Sequence, residues 1–426
     1  MVFRRGFFHA RYDEQSREHD WPLVQPLELN MIRFALLVCL VLSLTSRRTT
    51  AQEDLVLRTR VEPVDVEILI PKESRPVQGV LAHVFNYKLR EHDRWATLCR
   101  ELKWVHINTV ISRKANNRPQ KIRHAIDEAL KQFAKESNLP ELVHVPRTGT
   151  GFSAGGMAVS VLETEPDRML TNAISCSWVR DSEKMGEAAH VPELFIIGAV
   201  PDGFKMLPAI EKFYEPAIGR KLPWALGLQH KCKHDWANSG TLGVAWIQGI
   251  HRLRYPEKVD ASKPVPLRPV DFSTGWRGDR RTINSTMPKV SPAAEFEGDS
   301  KSTVWLPDRA TAYVWRAWQV KDSPVNLMIR TFDNSRKLSA FNPKKSFGLT
   351  VGSESKLVLG INLKSPQRIS RVQFFHGDTQ IGETSSAPWE VRWTGPKVGC
   401  FAVWAQYTTG SSTAVTNPAL ICFEPQ

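Results

Sequence analysis

The chain has few cysteines, six in 426 residues, and no two of them stand in C-x-x-C spacing. That excludes the common thiolate metal sites and dithiol redox motifs. It also lacks a long run of lysine or arginine. The formal net charge is +13, but the basic residues are scattered and no nucleic-acid-binding motif accompanies them. A basic protein drawn to anionic polymers or surfaces is the reading that remains, without a nucleic-acid partner. No apolar run is long enough for a stable bilayer anchor. The longest, residues 34–44, is broken only by Ser43 and falls well short of a spanning helix.

That short run is nonetheless informative. Met31-Ile32-Arg33 gives it a positive start, and Thr49-Thr50-Ala51 supplies small residues ahead of Gln52. Residues 31–51 therefore read as an export signal, which predicts a secreted or periplasmic protein. Val38 before Cys39 is not the small residue a lipid attachment site needs. Residues 1–30 carry no pattern and read as an over-extended N-terminus, with Met31 the true start. Cleavage removes Cys39 and leaves Cys99, Cys176, Cys232, Cys400 and Cys422. Cys400 and Cys422 are candidates for a pair, and most of the five are expected to be small buried hydrophobes.

Beyond the signal, apolar patterning sorts the chain into three parts. Residues 60–257 alternate strands with helices. Strands are expected at 64–71, 77–85, 104–111, 143–152, 172–178, 193–200 and 224–228, with helices at 95–102, 121–136, 154–163, 206–213 and 236–253. Such alternation predicts a mostly parallel sheet with helices on its faces. Residues 258–335 are rich in proline and tryptophan, with one helix expected at 308–319, and read as an extension packed on that domain. Asn284-Ser285-Thr286 has the form of a glycosylation sequon and reads as a loop. Residues 343–426 show no helix signal, only short β-rich runs divided by turns such as His376-Gly377-Asp378, and predict a β-sandwich.

One stretch organises the first part. Gly151-Phe152-Ser153-Ala154-Gly155-Gly156 has the form G-x-S-x-G, in which a serine sits on a tight strand-to-helix turn. The pattern alone is weak, and Ser153 could equally cap a helix. Its context is stronger, because an acid and a histidine follow in order. Asp202 lies just past the strand at 193–200, and His234 shortly after the strand at 224–228. Serine, acid, histidine is the order of a nucleophile, an orienting carboxylate and a general base. Asp202, in Pro201-Asp202-Gly203, could instead be a turn former, and His230 competes with His234. The oxyanion donors expected are the N–H of Ala154 and that of Phe85 or Asn86, in the loop after the second strand. Asp181, Glu183 and His190 read as solvated loop residues. Trp95, Trp178 and Trp236 are candidates for an acyl pocket, with core packing as the alternative.

With these residues in hand, the chain resembles the α/β-hydrolase superfamily. It is similar to secreted bacterial esterases of the dienelactone-hydrolase and polyhydroxybutyrate-depolymerase type over residues 64–256. The final segment resembles a bacterial immunoglobulin-like domain, on Val372-Gln373-Phe374-Phe375, Ile381-Gly382, Ala387-Pro388-Trp389 and Trp393. The resemblance implies an α/β fold, a mostly parallel sheet flanked by helices plus an all-β sandwich. It also implies acyl hydrolysis by Ser153, Asp202 and His234, without metal or organic cofactor. A peptidase would use the same triad. The spacing from Ser153 to Asp202 leaves little room for a lid, which suits a bulky, polymeric or carbohydrate-linked ester substrate. The expected protein is a monomer that can associate peripherally with the envelope. The competing reading is a hydrolase-like scaffold without activity that serves envelope binding or adhesion. The strand delivering Ser153 motivates it, since Thr148 and Thr150 replace the usual Val or Ile.

Overall fold

The structure is a computed structural model. It describes residues 53–84, 94–111, 119–159, 162–177, 181–200, 207–260, 262–321, 323–338, 348–364 and 368–425. The readings made of residues 1–30 and 31–51, and those of Phe85, Asn86, Trp178 and Asp202, lie outside the described residues.

The main sheet has eight strands: β1 (Leu55–Val61), β2 (Val64–Ile70), β3 (Gly79–Val84), β4 (Trp104–Ile111), β5 (Arg147–Phe152), β6 (Met169–Ser175), β7 (Glu193–Gly198) and β8 (Trp224–Gln229). They run in the order β1-β2-β4-β3-β5-β6-β7-β8. β1 pairs β2 and β2 pairs β4 antiparallel, and every other pairing is parallel. Helices α1 (Arg94–Leu102), α2 (Pro119–Ser137), α3 (Ala154–Val159), α4 (Leu207–Gly219) and α5 (Ser239–Arg254) follow β3, β4, β5, β7 and β8. The interior strands are buried on both faces, as β7 shows in being buried at every residue. The α/β architecture read from the sequence is therefore the one that forms.

β1 has no counterpart in that reading. Its alternation is half-buried and carries arginines, as befits an edge strand. Arg58 stands opposite Glu67 and Arg60 opposite Asp65, and both pairs close ion pairs, at 2.7 and 3.0 Å. β5 is polar for a different reason. Arg147 is buried and pairs with Asp127 of α2, while Thr150 Oγ1 donates to Ala173 O at 3.0 Å. Arg147 Nε and Nη1 and Thr148 Oγ1 are buried without a hydrogen-bond partner among the described residues, so this central strand is only partly satisfied. β5 also begins later than expected, because Pro140–Val143 forms a 3-10 turn.

Residues after α5 build a small sheet of β9 (Trp276–Asp279), β10 (Val290–Pro292) and β11 (Thr303–Leu306), and then α6 (Arg309–Trp318). Asp308 caps α6, accepting from Thr311 N at 2.8 Å. This region is sewn to the main domain. Trp315 Nε1 donates to Leu226 O at 2.9 Å, and the rings of Trp246 and Trp305 meet edge to face at 5.9 Å.

The remaining strands are β12 (Val325–Thr331), β13 (Lys337–Leu338), β14 (Leu349–Gly352), β15 (Lys356–Leu363), β16 (Ile369–His376), β17 (Thr379–Thr384), β18 (Glu390–Thr394), β19 (Gly399–Thr409), β20 (Ser412–Val415) and β21 (Ala419–Glu424). They form two mostly antiparallel sheets, β13-β12-β15-β18 and β14-β21-β19-β16-β17, with β20 on β19. The inner faces share one apolar core, so the pair is a sandwich. β12 comes from the stretch read as extension, so the sandwich already begins at Val325.

The sandwich is not a loose appendage. Cys400, Ala402, Trp404, Val415, Leu420 and Cys422 belong to the same buried cluster as the main sheet. Glu101 of α1 accepts from Cys400 N at 2.8 Å and from Gln248 Nε2 at 2.8 Å, and burial holds its carboxyl above the usual range. Cys400 and Cys422 face each other across β19 and β21 as thiols, with Sγ atoms 3.2 Å apart. All five described cysteines are buried.

Two further histidines are withdrawn from water, His106 fully and His251 in part. His106 of β4 lies between Leu69 and Leu81 of the flanking strands, and neither ring nitrogen has a hydrogen-bond partner among the described residues. Burial pushes its pKa from 6.5 down to about 3, and burial likewise pushes that of His251 down to about 4. Below pH 6.5 the unfolded chain binds protons that the folded chain refuses. Stability should therefore fall as pH drops from about 6.5 toward 4, by up to ~1.4 kcal/mol per pH unit for each histidine. Urea midpoints from pH 7 to pH 5 would show this slope, and His106→Leu should flatten it. An unchanged slope in that variant would refute the assignment.

Candidate active site

The site is built where β5 turns into α3. Ser153 sits at that turn with φ of +54°, a left-handed conformation that costs a non-glycine residue energy. Its N–H donates to Ser175 O at 2.9 Å, and its carbonyl accepts from Met157 N at 3.2 Å, which starts the helix. A side chain at position 151 would put a Cβ 2.5 Å from the Gly155 carbonyl carbon and 2.8 Å from Gly156 N. Only glycine lets the strand and the helix approach this closely. Ala154 opens α3, so its N–H has no intrahelical acceptor and is available to an oxyanion.

The loop from β8 to α5 brings His234 to the turn. Its exposed imidazole packs on the ring of Phe152, with centroids 4.8 Å apart. Trp236 stacks on the same phenyl ring at 5.4 Å and 26°. His230 goes elsewhere, into a cleft it shares with Lys231, Trp318, Ser323, Asn326 and Asn417. Of the two candidate bases, His234 is the one packed on the strand that carries Ser153.

β7 holds that loop in place. Ala199 N donates to Gln229 O and Val200 N to Cys232 O, both at 2.9 Å. A Cβ at Gly198 would fall 2.0 Å from Lys233 O, so the loop backbone lies directly on this glycine. Asp202 follows two residues after Val200 and lies outside the described residues. Phe85 and Asn86 lie outside them as well. The strand leading to them, β3, ends beside the elbow, with Val84 opposite Gly151.

Cys176 is also close, with φ of +49° and its Sγ 3.6 Å from Asp235 O. Burial raises its thiol pKa, which keeps it protonated and a poor nucleophile. Asp181 caps a 3-10 turn by accepting from Glu183 N at 3.1 Å and pairs with Lys184, while Glu183 and His190 are exposed. None of these three is tied to the elbow by a described contact. Trp95 is buried and Trp236 half-buried. Among the described residues no group of three His, Cys, Asp or Glu side chains could hold a metal ion.

Sequence reasoning overlooked His83 of β3. It is buried, stacks on His106 at 5.9 Å and meets Trp236 edge to face at 5.5 Å. A polar residue inside the apolar run of β3 was the available signal.

No family profile matches the sequence, and no curated protein does either. Among solved structures, poly(aspartic acid) hydrolase-1 from Sphingomonas sp. KT-1 overlaps 46% of this chain and 98% of its own, at 14% identity and a TM-score of 0.35. A Pyrobaculum calidifontis esterase overlaps 47% of this chain and 84% of its own, at 13% identity and a TM-score of 0.34. Fibronectin(III)-like modules of Clostridium thermocellum CbhA overlap 22% of this chain and 93% of their own, at 18% identity and a TM-score of 0.17. The fold assignment made above rests on the strand order of this chain.

Proposed function

We propose that this protein is an exported serine hydrolase that cleaves carboxylic esters through an acyl-enzyme. Ser153 is the nucleophile, His234 the general base and Asp202 the carboxylate that orients it. His234 takes the Ser153 proton as Oγ bonds to the ester carbonyl carbon. The oxyanion is met by the N–H of Ala154 and by that of Phe85 or Asn86. The C–O bond to the alcohol then breaks, and His234 returns the proton to the departing alcohol. Water repeats the sequence on the acyl-enzyme, releasing the acid and restoring Ser153.

The observation that carries this reading is the turn itself: a serine at φ +54° between a central strand and a helix, with the His234 loop packed on the preceding residue. Carboxylic esters are what the family resemblance implies, and a peptidase would use the same triad. The short interval between Ser153 and Asp202 points to an open site, hence to polymeric or carbohydrate-linked esters.

A fluorophosphonate probe tests the nucleophile. The intact protein should be labelled, and peptide mapping should find the adduct on Ser153. Absence of labelling would favour the inactive envelope-binding scaffold. Acetylated and feruloylated polysaccharides should be deacylated. Cleavage restricted to short soluble esters would refute the polymer assignment alone.

A further inference from the structure

The aromatic rings around the elbow form a continuous path. His234 lies on Phe152, Phe152 on Trp236, Trp236 on His83, and His83 on His106, with centroid separations of 4.8, 5.4, 5.5 and 5.9 Å. Trp95 of α1 closes against His83 edge to face at 6.2 Å. The members come from the base loop, β5, β3, β4 and α1. The path starts at an exposed imidazole and ends at a fully buried one.

We propose that Phe152 and Trp236 are positioning residues that hold the ring of His234 in its working orientation. The inference rests on His234 being the base, and it extends that reading to residues with no proton-transfer chemistry of their own. An exposed histidine on a loop can rotate about two side-chain torsions. Here the ring of Phe152 lies against it at a tilt of 50°, and Trp236 stacks on Phe152 at 26°. Trp236 is fixed in turn by His83. His83 stands opposite Thr150 in the β3–β5 pairing, two strand positions before Phe152. The strand carrying the nucleophile and the strand leading to the second oxyanion donor are thereby tied to the base through one set of rings.

Core packing alone explains this arrangement poorly. Phe152 and Trp236 are only half-buried, and Phe152 occupies the variable position of G-x-S-x-G. An apolar aliphatic side chain would fill the same volume. What it would lack is the π-system that gives a ring–ring contact its preferred orientation.

The test compares Trp236→Leu, Trp236→Phe, Phe152→Leu and Phe152→Tyr. Misplacing a catalytic group by about 1 Å costs roughly 10²-fold in rate. Both leucine variants should lose about that factor in kcat on a p-nitrophenyl ester, with KM within about twofold. Phe and Tyr should restore most of it. A second readout does not depend on turnover. In protein labelled with ¹³C at histidine Cε1, the His234 signal, identified by its loss in His234→Ala, should shift in the leucine variants and return in the aromatic ones. An unmoved His234 signal with unchanged kcat overturns the proposal. So does a kcat loss that the aromatic variants fail to restore. If the signal moves as expected while the parent protein neither hydrolyses esters nor takes the fluorophosphonate, the packing role stands and the hydrolase reading fails.

Discussion

Replacing Ser153 by alanine should lower ester turnover by about 10⁶-fold while leaving the fold intact. Losing the nucleophile or the base of a serine–histidine unit costs about that much, because neither acts without the other. Substrate binding and the oxyanion donors sustain a residual rate of about 10³–10⁴ over water. Ser153→Ala changes no backbone atom, although alanine will meet the same left-handed conformation as serine, so Tm should move little. His234→Ala should match it within about tenfold, and the double variant should be no worse than either alone. His230→Ala should stay within about twofold of the parent, since His230 lies in the cleft by Trp318 and Asn417. Initial rates on a p-nitrophenyl ester decide it. A His230 variant that loses activity while His234→Ala retains it would exchange the two roles.

Most of the main domain was legible because its interior strands are apolar on both faces and its helices carry one apolar stripe. β7 and α2 are plain examples. What escaped notice did so for identifiable reasons. β1 puts Arg58 and Arg60 on its exposed face with Val56, and Thr59 on the other face with Leu55, Leu57 and Val61, a pattern easily taken for a loop when cross-strand partners are unknown. β5 reads unlike a central strand because Thr148 and Thr150 stand where Val or Ile is usual; Thr150 bonds Ala173 O, a contact distant in the chain, while Thr148 Oγ1 is buried without a partner among the described residues. At the site, the G-x-S-x-G pattern located the turn, but the choice between His234 and His230 needed geometry. The two lie four residues apart in one loop, and no local property separates them. The contacts of Phe152 are hidden in the same way, since the rings that meet it come from a loop about eighty residues away in the chain.

The sandwich was expected as a separate module, and its docking could not be read from its alternation, which reports a buried face without saying what covers it. Trp404 makes the consequence measurable. Its side chain is fully buried, stacks on Phe375 at 4.5 Å, meets Tyr313 edge to face at 6.1 Å and donates from Nε1 to Gly377 O at 2.8 Å. Tyr313 is on α6, so this indole lies between the sandwich and the region sewn to the main sheet. Trp404→Ala should cost about 3–5 kcal/mol, as expected for deleting a large buried aromatic side chain. At about 2 °C per kcal/mol for a chain of this size, Tm should fall by roughly 6–10 °C. The loss should reach the main domain as well. Calorimetry should show one transition in the parent and one, at lower temperature, in the variant, with esterase activity lost across the same interval. Two resolved transitions, with only one moved by Trp404→Ala, would mean that the sandwich unfolds on its own and that the shared core does not couple it to the site.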